Sequence, residues 1–143
     1  MGEKGIERRL CQRFKIPGAT VSYHKEKLLS SRKKVDEEFC PVLDLSRGGV
    51  RFLTQKPLKF KSRVTLQLSI PGERVPLNLR GRVRWSTFNA GKSYKYQAGV
   101  QFNPYGLEKS QNVPQALTKI VALEQKFVEP GGEGTGKAGD FGA

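Results

Sequence analysis

The chain has 143 residues, with 26 Lys and Arg against 13 Asp and Glu, a formal net charge of +13. That length and a 36% hydrophobic content suit one domain with one modest core. No apolar run nears the roughly 20 residues that span a bilayer, and the opening Met-Gly-Glu-Lys-Gly-Ile-Glu is no apolar signal stretch. A cytoplasmic protein that does not insert into membranes is expected, with a surface that draws anions. Cys11 and Cys40 are too few for a disulfide framework, and no Cys/His cluster suggests a metal. Two reduced, unpaired thiols are expected.

Residues 1–16 are basic and weakly periodic, and read as a flexible arm. Pro17-Gly18 marks a turn. Ala19, Val21 and Tyr23 then alternate with polar residues, a strand signal of period two. Residues 25–38 are charged and read as a loop. A second strand runs from Phe39 to Leu45, with Pro41 pushing it toward an edge or a bulge. Gly48-Gly49 makes a tight turn into a third strand, Val50 to Leu53. Val64, Leu66, Leu68 and Ile70 form the clearest strand, which Pro71-Gly72 ends. Leu77, Leu79, Gly81, Val83 and Trp85 share one face of the next strand, and Arg80, Arg82 and Arg84 share the other. Asn89-Ala90-Gly91 is a turn. Tyr96, Ala98, Val100 and Phe102 alternate in a last strand.

The period then changes. Val113, Ala116, Ile120, Leu123 and Phe127 recur at helical spacing, and Asn112 with Gln115 reads as an N-terminal cap. Pro130 and Gly131-Gly132 stop the helix. Residues 130–143 are Gly-rich and expected to be disordered. The fold class is thus all-β with one C-terminal helix: a small six-stranded antiparallel barrel, closed or nearly closed so that sticky strand edges are removed, with the helix, over residues 17–129.

Two clusters point to chemistry. Arg8, Arg9 and Arg13 supply guanidinium forks, which bind phosphate, stack on flat rings and match the O6/N7 edge of guanine. A plain basic segment fits the same residues. In Asp44-Leu45-Ser46-Arg47-Gly48-Gly49, the carboxylate of Asp44 can accept from guanine's N–H edge, the Ser46 hydroxyl can donate to phosphate, and Gly49 leaves backbone open to a ligand or to positive φ. A strand-turn-strand corner with local hydrogen bonds fits equally. Trp85 either packs in the core or sits near the barrel mouth against a base. Arg80, Arg82 and Arg84 form either a solvated face or a specific site, and His24 is a plain strand residue. No P-loop, nucleophile elbow or acid–base dyad is found, so no enzyme activity and no cofactor are expected.

Taken together, the clusters resemble the motifs of the PilZ family of bacterial cyclic di-GMP receptors. That family carries R-x-x-x-R on an N-terminal segment, here Arg9-Leu10-Cys11-Gln12-Arg13. A [D/N]-x-S-x-x-G motif follows on the next strands, here Asp44 to Gly49. The likeness extends to Arg13-Phe14-Lys15-Ile16-Pro17-Gly18-Ala19 and to the late strands around Trp85 and Ala98 to Phe102. The resemblance implies that Arg9 and Arg13 hold phosphates or guanine, that Asp44 and Ser46 read the base, and that Gly49 allows the turn. Arg8, just before the motif, would face a second nucleotide, with Arg47 and the Arg80, Arg82, Arg84 row offsetting repulsion. The expectation is a non-enzymatic, monomeric receptor for cyclic di-GMP, holding two intercalated molecules. Its arm orders on binding, and it signals to a separate, unknown protein effector. A small basic barrel for single-stranded nucleic acid is the alternative, as is a PilZ-like protein-interaction module without nucleotide. The first is disfavoured because the aromatics mostly occupy core-facing positions, so no DNA or RNA partner is expected.

Overall fold

Alternating apolar residues make every strand here two-faced, so the chain must bury one face of each. The computed structural model describes residues 12–26, 35–90 and 92–128. The arm as far as Cys11, the middle of the charged loop, Gly91 and the Gly-rich tail lie outside the described residues. Six strands form: β1 (Thr20–Lys25), β2 (Glu37–Ser46), β3 (Gly49–Thr54), β4 (Arg63–Ser69), β5 (Leu77–Phe88) and β6 (Tyr96–Phe102). They close into an antiparallel barrel in the order β1-β2-β3-β6-β5-β4, so each strand is paired on both sides. The inward residues, among them Val21, Tyr23, Phe52, Leu66, Leu79 and Val83, are almost fully buried. Among the described residues no helix is long and apolar enough to cross a membrane.

One helix follows, α1 (Pro114–Phe127), which buries Ala116, Ile120 and Leu123. Glu124 accepts from Nε of Arg47 at 2.9 Å, and Lys119 pairs with Glu73 at 2.5 Å. These contacts tie the helix to the β2–β3 turn and the β4–β5 loop at one end of the barrel. The expected Asn112 cap is not made. Val113 is the N-cap, without a side-chain bond, and Pro114 opens the helix with its fixed φ. Asn112 is buried instead: its side chain accepts from the Arg80 N–H and donates to the carbonyls of Arg80 and Asn103. Those strand-end backbone groups need partners once buried, and they outbid the helix terminus.

Three differences from the alternation pattern shape the outer surface. First, Phe14 and Ile16, placed by sequence in the arm, are core residues at 3% exposure each. Phe14 exchanges two 2.9 Å backbone bonds with Leu45, so this segment runs along β2 as an extra short bridge. Burying a Phe and an Ile stabilises by about 1.5–3 kcal/mol each, enough to dock the segment. Second, β2 steps out of register between Val42 and Asp44, which turns Asp44 onto the outer face opposite Arg51. Third, β5 carries a bulge between Val83 and Trp85. Val83 opposes Val100 in the core, but Trp85 opposes Gly99 on the outside, so Trp85 does not share the face of Leu79 and Val83. A bulge inserts one residue and reverses the side-chain parity beyond it.

Candidate functional site

The two bulges bring one transverse row of residues onto the outer face. Register places Asp44 on β2 opposite Arg51 on β3, Arg51 opposite Gly99 on β6, and Gly99 opposite Trp85 on β5. Arg13 joins the row from the docked N-terminal segment. Because its neighbour Phe14 is anchored inward, Arg13 points outward beside β2.

Asp44 is the hub. Its side chain is 7% exposed. It accepts from Arg51 Nε at 3.1 and 2.9 Å, from Arg51 Nη2 in a shorter contact, and from Arg13 Nη1 at 3.2 Å. Hydrogen bonding to the carboxylate raises the Arg51 pKa above its ordinary value, against some lowering by burial. The fork of Arg51 engages Asp44 through its Nε/Nη2 edge, leaving the N–H groups of Nη1 directed elsewhere. Arg13, with its side chain 60% exposed, likewise keeps most of its donors. One buried carboxylate thus orients two guanidiniums side by side at the surface.

Ser46 and Gly49 shape the platform. Ser46 and Gly49 are paired across a two-residue turn, Arg47-Gly48. The Ser46 hydroxyl accepts from the Gly48 N–H at 3.2 Å and donates to the Gly49 carbonyl at 3.5 Å. Gly49 is the first residue of β3, not part of the bend. A Cβ there would stand 2.4 Å from the Val100 carbonyl oxygen, so the glycine is required by the close approach of β3 to β6. Gly99 serves Trp85 in the same way. A Cβ on Gly99 would lie 2.4 Å from indole atoms Cε2 and Nε1, so the half-buried ring covers that backbone and forms a flat shelf next to Arg51.

Of the residues singled out by sequence, Arg13, Asp44, Ser46, Gly49 and Trp85 come together on this face. Arg8 and Arg9 lie outside the described residues. Arg47 turns away to Glu124 on α1, and the Tyr105 hydroxyl donates to its carbonyl at 2.6 Å. Arg51 was missed. A two-residue turn between Ser46 and Gly49 fixes the pairing that sets 44 against 51, and an acid opposite an arginine was the legible signal. Among the described residues no group of three or more His, Cys, Asp or Glu is placed to hold a metal ion. Cys40 is a free, buried thiol, and Cys11 lies outside the described residues.

The structure is thus a closed six-stranded barrel with a terminal helix, carrying Arg13 and Arg51 on its outer face around one buried acid. The PilZ domain model matches residues 7–118, and the chain belongs to that family, whose domains are receptors for cyclic di-GMP and not enzymes. None of the curated proteins matches the chain.

Proposed function

We propose that this protein is itself a cyclic di-GMP receptor and that the row Arg13, Asp44, Arg51, Gly99 and Trp85 is its ligand platform. The observation that carries the reading is the buried Asp44 clamp, which sets two guanidiniums beside an indole shelf. Cyclic di-GMP offers two phosphates and two guanines. Guanidinium forks suit both groups, and the indole suits a base face. Asp44 then acts as a positioning residue, holding Arg51 and Arg13, and Ser46 holds the turn. Arg8 and Arg9, upstream of the Phe14 anchor, close over the ligand. The altered face then meets a separate protein effector.

Trp85 is the only tryptophan, so its fluorescence reports on the shelf. Cyclic di-GMP should quench it saturably, and backbone relaxation should show residues before Gln12 slowing on binding. Arg13→Ala should weaken binding roughly tenfold, the loss of one charge-assisted contact, while stability changes by less than about 1 kcal/mol, as for an exposed ion pair. Folded protein that shows neither quenching nor heat at about 100 μM ligand, far above a micromolar-class Kd, would sink the reading.

A further inference from the structure

A second cluster of arginines lies on the outer face of β4 and β5, beside the row that holds the Asp44 clamp. Arg63 on β4 pairs directly with Arg82 on β5, and Arg80 is two residues from Arg82 on the same face. Arg82 therefore lies within about 7 Å of both Arg63 and Arg80, which are diagonal neighbours roughly 8 Å apart. They line a concavity of about 400 Å³, together with Gln101, Asn103 and Glu26. The guanidinium of Arg80 is held by the Lys109 carbonyl at 3.1 Å, and its backbone N–H donates to the buried Asn112. Gln101 accepts from Arg84 Nη1, which leaves the Gln101 amide donors for the concavity.

Like charges directly opposite on neighbouring strands destabilise a sheet. Among the described residues the ion pairs are those of Arg13, Arg47, Arg51 and Lys119, and none reaches Arg63, Arg80 or Arg82. Glu26 is the one acid lining the concavity, and its carboxylate accepts from Thr65 at 3.2 Å. Three cations and one anion leave the walls at +2. That excess of positive charge favours a polyanion. The volume lies within the roughly 300–1,000 Å³ range of small-molecule sites.

The geometry points to a second anion site here, selective for a diphosphate group and independent of the cyclic di-GMP platform. Arg63, Arg82 and the Gln101 amide, which lie in one cross-strand row, grip one phosphate, and Arg80 takes the other. The Asp44–Arg51–Gly99–Trp85 row contributes no residue to this cluster; the two sites adjoin where Gln101 pairs with Gly49, and on this proposal both ligands bind at once.

Side-chain NMR of the arginine Nε–Hε groups tests the site, with inorganic pyrophosphate and adenosine diphosphate as separate probes. Each titration is run on free protein and on protein saturated with cyclic di-GMP. Saturable shifts at Arg63, Arg80 and Arg82 are expected in both states, and tenfold or weaker binding in Arg63→Gln and in Arg82→Gln. Tighter binding of adenosine diphosphate assigns the site to nucleoside diphosphates; equal or weaker binding assigns it to the inorganic anion. Both variants relieve a like-charge pair and should fold at least as well as the parent. Any of four results overturns the site: no saturation by about 10 mM probe, shifts confined to Arg13 and Arg51, undiminished binding in the variants, or displacement by cyclic di-GMP. The free-protein titration stands even if cyclic di-GMP does not bind, so the two readings fail separately.

Discussion

Removing Arg51 should cost more stability than removing the acid it holds. In the native fold Asp44 accepts three contacts from Arg51 and one from Arg13, with its side chain 7% exposed. In Arg51→Ala the carboxylate stays buried and keeps one contact, at 3.2 Å, to a side chain that is 60% exposed. Stripping one partner from a fully buried ion pair costs about 3–5 kcal/mol. Arg51 is 36% exposed and Arg13 remains, so about 2–3 kcal/mol is the expected loss. At about 4 °C per kcal/mol for a domain of this size, Tm falls by about 8–12 °C. Asp44→Ala instead frees two guanidiniums that already reach water, and should cost about 1 kcal/mol. The double variant, left with no stranded charge, should be about 2 kcal/mol more stable than the sum of the single losses predicts. Urea unfolding of the four proteins gives the cycle. All three variants should bind cyclic di-GMP at least about tenfold more weakly, because each disturbs the Arg51 fork. If Arg51→Ala is no less stable than Asp44→Ala, or if the single losses simply add, the buried-clamp reasoning is wrong.

Gly49→Ala places a Cβ 2.4 Å from the Val100 carbonyl and must push β3 from β6, a loss of about 1–3 kcal/mol measurable by thermal melting. A variant as stable as the parent would show that the strands have slack. The buried Cys40 thiol is pushed up to about 12, chiefly by desolvation and then by the Glu37 carboxylate. Its folded pKa exceeds its ordinary 9.0, so its contribution is complete below about pH 9 and is lost as pH rises toward about 12. The loss is at most about 1.4 kcal/mol per pH unit. Burial also raises the Tyr23 hydroxyl, with help from its hydrogen bond to Glu37, and adds to the fall above its ordinary 10.0. Urea midpoints at pH 8, 9.5 and 10.5 should show this fall, and Cys40→Ala should flatten its first part. For stoichiometry, native mass spectrometry should find two cyclic di-GMP molecules per chain, and Arg8→Leu should shift this to one with the fold intact. Saturation at one ligand on the parent chain would remove Arg8 from that role.

The strands themselves were legible because most alternate strictly enough to show which face is buried, whereas their order in the barrel came only from the tertiary pairing. The α1 stripe of Ala116, Ile120 and Leu123 was legible by its different period. The motif spacing was also enough to place Asp44, Ser46 and Gly49 at one hairpin. What alternation cannot encode is a change of parity. The irregular pairing at β2 and the bulge at β5 each reverse which side chains face out, and each depends on register against the neighbouring strand. Trp85 therefore read as sharing the face of Val83, and only tertiary pairing with Gly99 put it outside. Phe14 and Ile16 likewise look like part of a basic arm, since two apolar residues carry no period; the stretch of β2 around Leu45, which runs past its pairing with β1, decided their place. Sequence by itself determined that this is a small cationic barrel with a guanidinium-rich motif pair. Tertiary structure decided that Arg51, brought opposite a buried acid by a two-residue turn, stands between that acid and the indole, because cross-strand neighbours are fixed by register and not by distance along the chain.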